Sequence, residues 1–336
     1  MKNMEITDPI SIQSLQLTNR LVMPPMARRM AENGNVPSAL CKYYSERALG
    51  GYLGLIIVEH CSVDKLGRAN PKQVSLGDDA DLFGLQQLVR SIHAAGSTKV
   101  FAQLNHAGVA SETADIGGGP VGPSAAWVHH PWSLDAVLPH ELTPEEIAGL
   151  VVKYVNAAIR VRYAGFDGVE IHSAHGYLLD QFYSPLTNQR HDAYGCDSVE
   201  NRVRFHVEII RAVRKAVGAD YPVALRLGAC DYMEGGSTIA DGVAAAKIFE
   251  QEGINLLDIS GGMCGYTRPG HEEAGYFGDA AKAIKQAVSI PVMTTGGVRS
   301  LEDANRLLAN ETADLIGVGR PILQDALWAK KALQGT

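Results

Sequence analysis

The stretch TPEEIAGLVVKYVNAAIRVRYAGFDGVEIH, Thr143–His172, holds one helix and one strand in immediate succession. Thr143 suits an N-cap, Pro144 the first helical position, and Glu146 closes a capping box. The helix predicted from there runs to Tyr163, and Gly165 supplies its C-terminal stop. Gly168–His172 follows as a short, nearly all-apolar run, the pattern of a parallel strand covered on both faces. The fold therefore depends on how often this pairing recurs.

It recurs along the whole chain. Further strand candidates are Arg20–Pro24, Gly54–Glu59, Lys99–Asn105, Pro222–Leu227, Leu256–Ser260, Pro291–Thr295 and Asp314–Val318. Helix signals begin near Ser38, Ala80, Ser198, Ile239, Asp279, Leu301 and Gln324. Eight strands, each followed by a helix, fit an α/β fold of the (β/α)8 TIM-barrel type. A doubly wound open sheet is the rival and needs fewer repeats. No linker rich in Pro, Ser or Gly splits the chain, so one barrel domain over residues 1–336 is expected. The longest non-helical segment, His106–Glu141, contains GGGPVGPSAAWVHHPW. A loop of that length in a compact fold is commonly functional, for example as a flap over a site.

The composition excludes several classes. With 46% hydrophobic and 20% charged residues the chain is of ordinary globular type. A formal charge of −7 and the absence of any long basic run argue against nucleic acid or an anionic membrane as partner. The N-terminus lacks the apolar core of a signal peptide, and no stretch reaches the roughly 20 apolar residues of a membrane span. Five scattered cysteines without a CxxC pair fit free thiols in a reducing compartment, and the cytoplasm is the expected location. A homo-oligomer is compatible with the sequence, which reveals no interface.

In a barrel, chemistry gathers at the C-terminal ends of the strands. His172, His175 and Tyr177 lie just past the fourth strand. They can be structural hydrogen-bonded rings, metal ligands, or donors that grip an oxygen beside a phenol able to deliver a proton. His60 and His106 could complete a metal set, but no HxH or HExxH spacing supports one, and no metal is expected. After strands seven and eight come Gly296, Gly297, Gly319 and Arg320, where backbone N–H groups and a guanidinium can hold a phosphate. Tight turns alone explain those glycines but not their joint position. Gln103 can donate and accept toward a pyrimidine-like ring edge. Arg226 suits an anionic ring or, more blandly, a buried carboxylate. Pro24, Pro25, Met26 and Ala27 follow strand one. Together these suggest a flavin mononucleotide with a carbonyl substrate stacked above it.

The motifs LTNRLVMPPM (17–26), QLNHAG (103–108), GPSA (122–125), FDGVEIH (166–172), HSAHGYLLDQFYSPLTNQRHDAYG (172–195), ENR (200–202) and GVGR (317–320) resemble the old yellow enzyme family over nearly the whole chain. That family consists of FMN-dependent NADH:flavin oxidoreductases and ene-reductases. The resemblance implies that diffusible NADH or NADPH reduces a bound FMN, after which an activated alkene such as an enone enters the same site. His172 and His175 would hold the carbonyl, flavin N5 would deliver hydride to the β-carbon, and Tyr177 would protonate the α-carbon. Pro24–Ala27, His60, Gln103, Arg226, Gly296, Gly297, Gly319 and Arg320 match flavin contacts in relatives, and Arg226 would favour negative charge on the reduced ring.

Four departures from the family pattern stand out. Ala27 replaces a Thr or Cys beside the flavin, which should alter its potential. Arg28 and Arg29 stand near a substrate-contacting tyrosine of some relatives, so Arg29 is expected to bind an anionic or polar substrate. Val109 replaces a basic residue, and YGCDSVENR departs from YGGSxENR, so that loop should differ in shape. The chain also lacks the cysteine cluster and dinucleotide-binding domains of longer relatives, from which direct reduction by a nicotinamide is expected. The alternatives are a dihydroorotate dehydrogenase-like or dihydrouridine synthase-like flavin barrel, with a cysteine or serine acid, and a non-catalytic flavin sensor.

Overall fold

A computed structural model describes residues 4–131 and 136–335. Residues 132–135 of the expected flap, Trp132 among them, lie outside the described residues, as do the two chain ends.

Eight parallel strands close into a barrel: β1 (Leu21–Met23), β2 (Leu55–Ser62), β3 (Lys99–Asn105), β4 (Gly168–Ser173), β5 (Val223–Cys230), β6 (Leu256–Gly261), β7 (Val292–Thr295) and β8 (Leu315–Gly317). β8 pairs with β1 through Ile316–Leu21 and Gly317–Val22. All eight expected strands are present, with ends shifted by a few residues. Around them run α1 (Ser38–Ala48), α2 (Leu82–Ala95), α3 (Pro144–Ala164), α4 (Arg204–Val217), α5 (Ile239–Gln251), α6 (Gly278–Lys285), α7 (Leu301–Ala309) and α8 (Trp328–Gln334). The capping box on α3 forms as expected: Glu146 N–H donates to Thr143 Oγ1 and Thr143 N–H to Glu146 Oε2. Gly165 ends the helix at φ +97°.

One helix expectation needs correction. No helix starts near Gln324; that residue ends a short helical turn, Arg320–Gln324. Asp325 is extended there (φ −131°), and its carboxylate accepts the Leu327 N–H, so the chain restarts as α8 at Trp328. Further elements went unanticipated, among them two small two-stranded sheets within the expected flap, Val121–Gly122 with His140–Glu141 and Val128–His129 with Ala136–Val137. A helical turn, Leu178–Tyr183, packs beneath the loop after β4. An antiparallel hairpin, Ile10–Ile12 with Leu15–Leu17, plugs the barrel from below. Its Ile12 and Leu17 join Val22, Leu55, Ile57, Phe101, Ala224, Leu256, Met293 and Leu315 in a buried cluster.

The two-residue period of the strands then decides what lies above that plug. Two positions on from Phe101, Ala224 and Leu256 stand Gln103, Arg226 and Asp258, and Glu170 pairs in register with Gln103. The barrel interior therefore changes from hydrocarbon to a buried polar layer within one step of the pleat. At β2 a bulge between Val58 and His60 breaks the alternation and sets His60 beside Gln103. Such bulges re-aim side chains next to functional sites.

Candidate active site

A cavity of about 810 Å³ opens above the polar layer at the C-terminal ends of the strands. The rings of His172 and His175 lie edge to face at 5.1 Å between centroids, and those of His172 and Tyr177 at 5.2 Å. His60 stacks on Tyr177 at 5.2 Å with 27° between planes. All three rings singled out after β4 therefore line one cavity. The strand-end residues Pro24, Pro25, Met26, Ala27, His60, Gln103 and Arg226 line it too, as do Arg29, Gly296, Gly297, Gly319 and Arg320. Among the described residues no group of three or more His, Cys, Asp or Glu side chains is placed to hold a metal.

The local backbone explains how two histidines and a tyrosine so close in sequence converge. His175 and Gly176 both adopt left-handed conformations, φ +62° and +73°. For histidine this is uncommon and costly, and it persists only where surrounding contacts hold it. His175 N–H donates to the Gly261 carbonyl (3.2 Å), and its ring Nε2 lies 2.7 Å from Ser260 Oγ at the end of β6. His60 is fixed through Nδ1, 2.9 Å from Gln73 Nε2 and 3.2 Å from Asn105 Nδ2.

Burial governs the protonation of these groups. Burial, then the neighbouring imidazole of His175 and the cation of Arg226, hold His172 well below the ordinary histidine range. Burial, then Arg226 and His60, do the same to His175. His60 is pushed down to about 4 by burial and by Arg29 and Arg226. Burial pushes the Tyr177 phenol up to about 12, against the opposing pull of Arg29. At neutral pH the cavity therefore presents neutral imidazoles and a protonated phenol.

Below them, both readings of Arg226 hold at once. It lines the cavity, and its Nε lies 3.2 Å from Asp258 Oδ2, with both side chains buried. The pair is close but not aligned for a hydrogen bond, so Arg226 Nε and both Asp258 oxygens have no hydrogen-bond partner. Burial raises Asp258 to about 6, with Arg226 opposing. Burial and the nearby Asp258 hold Glu170 well above the carboxylate range. Gln103 Nε2 donates to Glu170 Oε2 at 2.7 Å.

Across the cavity, the turn after β7 is built for close approach. Gly297 sits at φ +70°, and a Cβ there would lie 2.2 Å from the Glu273 carbonyl oxygen. Gly319, by contrast, has only side chains around it: a Cβ would lie 3.3 Å from Met26 Sδ, the far part of a flexible side chain, and 3.7 Å from Pro24 Cγ. Beside it stands the exposed Arg320. A side-chain-less residue next to an exposed guanidinium fits the phosphate of FMN. The unpartnered His172 Nδ1, Arg226 Nε and Thr295 Oγ1 fit a polar ring compound in the rest of the cavity.

Arg29 and Arg28 diverge. Arg29 (φ +53°) lines the cavity, whereas the Arg28 guanidinium lies 4.7 Å over the Tyr43 ring. The turn carrying both is gripped by buried Glu59, whose Oε2 accepts the Arg28 N–H. Sequence reasoning did not identify Glu59, Asp258, Glu170, Ser260, Tyr266, Tyr276 or His130. The last three and Ser260 also line the cavity.

Comparison with known proteins follows the same direction as the geometry. Residues 5–336 match the NADH:flavin oxidoreductase / NADH oxidase family. The chain is 42% identical over 332 residues to the NADH oxidase of Thermoanaerobacter brockii, covering 96% of this chain and 50% of that protein. It is 37% identical over 324 residues to the NADPH dehydrogenase of Halalkalibacterium halodurans, covering 96% and 91%. The chain thus spans half the length of the first relative and nearly all of the second. A solved structure of the old yellow enzyme homologue from Zymomonas mobilis superposes with a TM-score of 0.86 at 28% identity, over 99% of this chain and 93% of that one.

Proposed function

This chain belongs to the NADH:flavin oxidoreductase / NADH oxidase family, and on that premise we propose that it is an FMN-dependent enzyme that uses NADH or NADPH to reduce the C=C bond of an α,β-unsaturated carbonyl compound. When bound, FMN supplies the hydride chemistry, accepting from the nicotinamide and passing on to the alkene. Gly296, Gly297, Gly319 and Arg320 hold its phosphate, and Pro24, Pro25, Met26, Ala27, His60, Gln103 and Arg226 surround its ring.

His172 and His175 act as neutral donors to the substrate carbonyl oxygen. Because they are held in place before the substrate arrives, negative charge developing on that oxygen meets donors that need no reorganisation. Tyr177 remains protonated across the physiological range and gives its proton to the α-carbon. Arg29 meets an anionic or strongly polar group elsewhere on the substrate. Its guanidinium has no ion-pair partner among the described residues.

The observation that carries this reading is the convergence of His172, His175 and Tyr177 on one cavity, the His172 ring centroid lying 5.1 Å from that of His175 and 5.2 Å from that of Tyr177; Arg320 and the glycine turns line the same cavity. A flavin barrel with a cysteine or serine acid is the rival; none of the five cysteines lines this cavity, and of the two serines that do, Ser111 and Ser260, the latter is engaged by His175 Nε2. Anaerobic stopped-flow spectroscopy separates the possibilities. NAD(P)H should bleach the flavin, cyclohexenone should restore it, and Tyr177→Phe should slow restoration about 100-fold or more, in line with general-acid contributions, while sparing bleaching. Flavin that NAD(P)H leaves oxidised would favour a sensor; restoration unaffected by the Tyr177 change would remove the phenol from the mechanism.

A further inference from the structure

The loop that carries His175 and Tyr177 contains a feature that the reading above does not use. Between those two residues lies Gly176, and its two flanking peptide groups are held from below by consecutive side chains of the turn Leu178–Tyr183. The Gly176 N–H, in the peptide shared with His175, donates to Asp180 Oδ2 at 2.6 Å. The Gly176 carbonyl, in the peptide shared with Tyr177, accepts from Gln181 Nε2 at 2.5 Å. Both side chains are fully buried, and neither lines the cavity.

We propose that Asp180 and Gln181 are positioning residues, clamping the Gly176 backbone so that His175 and Tyr177 face the substrate together. The proposal rests on the roles given above to those two residues. His175 and Gly176 occupy consecutive left-handed conformations, which the chain does not choose unaided. The clamp supplies the opposing contacts. Gln181 extends it by donating to the Ala107 carbonyl (3.2 Å) and accepting the Val109 N–H (3.3 Å), tying this loop to the one that leaves β3. On the other side, a Cβ on Gly176 would lie 2.7 Å from Pro131 Cδ, so the turn is confined from above as well.

The chemistry of Asp180 suits a neutral clamp. Burial, reinforced by nearby Asp231, holds its carboxyl well above the usual range. Its Oδ1 has no hydrogen-bond partner. A neutral carboxyl at this place is closely mimicked by a carboxamide, so Asp180→Asn should keep the clamp and Asp180→Ala should lose it. Gln181→Met removes the second half while filling the same volume.

The test uses the FMN-loaded protein and two independent measurements. Hydrogen exchange followed by mass spectrometry should show the amides of residues 174–178 exchanging at least tenfold faster in Asp180→Ala and Gln181→Met, with the barrel strands unaltered and Asp180→Asn like the parent. In stopped-flow traces, the two disrupting variants should slow flavin restoration by cyclohexenone at least tenfold more than they slow bleaching by NAD(P)H. Asp180→Asn should rescue this split, which a merely structural residue would not produce. Parent-like exchange in both disrupting variants overturns the clamp, as does a uniform rise across the barrel. If Asp180→Ala fails to fold, Gln181→Met carries both measurements. Should the parent protein itself ignore cyclohexenone, the proposed function fails, while the exchange data still decide the clamp.

Discussion

Two glycines of the proposed phosphate cradle should respond to alanine in different ways. At Gly297 the backbone is left-handed, φ +70°, and the added methyl would stand 2.2 Å from the Glu273 carbonyl oxygen. That is more than 1 Å inside the roughly 3.5 Å of an ordinary contact. The left-handed conformation alone costs about 1–2 kcal/mol for a residue with a Cβ, and the clash adds to it. Gly297→Ala should therefore lower the melting temperature even of protein stripped of FMN, by about 3–6 °C. Gly319 has φ −94°, open to any residue, and its nearest neighbours would be Met26 Sδ at 3.3 Å and Pro24 Cγ at 3.7 Å. The flexible Met26 thioether need give by only a few tenths of an ångström, so Gly319→Ala should shift the melting temperature of the stripped protein by no more than about 1–2 °C. If the proposed cradle holds the phosphate, the added methyl would instead occupy space the phosphate needs. Losing one hydrogen bond to a charged group, roughly 1.5–3 kcal/mol, weakens FMN about 10- to 100-fold. Thermal melts of stripped protein and fluorescence titration with FMN read the two effects separately. If Gly319→Ala binds FMN like the parent, the phosphate does not lie against that residue, and the assignment of the cradle is wrong.

Two further outcomes concern protons. Because burial pushes His60 down to about 4, holds His172 and His175 well below their ordinary range and pushes Tyr177 up to about 12, the rate of enone-driven flavin restoration should be level between about pH 6 and 9; a break near pH 6.5 would mean that an imidazole charges in the working enzyme. Burial raises Glu59 to about 7 from an ordinary 4.5. The folded state therefore keeps a proton that the unfolded chain has lost between those values. Stability should be highest below pH 4.5 on this account and fall as pH rises through 7, by on the order of 3 kcal/mol. Glu59→Gln should flatten that fall, and melting curves at pH 5 and 8 that shift equally in parent and variant would contradict it.

Much of the barrel was legible because its strands are buried on both faces and so read as short apolar runs between capped helices. Thr143, Glu146 and Gly165 marked their helix through local chemistry that operates regardless of tertiary context. His172, His175 and Tyr177 were visible because six consecutive residues, spanning the end of β4 and the loop after it, carry all three. The residues that escaped notice come from elsewhere. Tyr266, Tyr276 and His130 reach the cavity from loops whose approach is set by long-range packing. Glu170 and Asp258 did leave a signal: a carboxylate in the middle of an otherwise apolar strand must find a partner, and in this barrel those partners are Gln103 and Arg226. The bulge at Val58–His60 left none, since no glycine or proline marks it. The N-terminal hairpin was readable in principle from the alternation of Ile10, Ile12, Leu15 and Leu17 with polar residues.

The polar layer beneath the cavity bears on what Arg226 can do there. An isolated buried guanidinium would be a strong, fixed attraction for negative charge, but it would also carry a heavy desolvation cost. Asp258 at 3.2 Å offsets that cost and, to the same extent, weakens the field that reaches the cavity. Glu170, held neutral by burial, adds no further negative charge while still accepting from Gln103. The floor of the cavity is thus close to balanced, and the cations Arg29 and Arg320, which form no carboxylate ion pair among the described residues, stand in its walls. Arg320 acts on Tyr276, whereas Arg29 acts on His60 and Tyr177, so the two face different parts of the cavity. On the function proposed above, a phosphate drawn to the first would leave the second for an anion on the substrate. The neutral imidazoles between them can then polarise a carbonyl without competing for either charge.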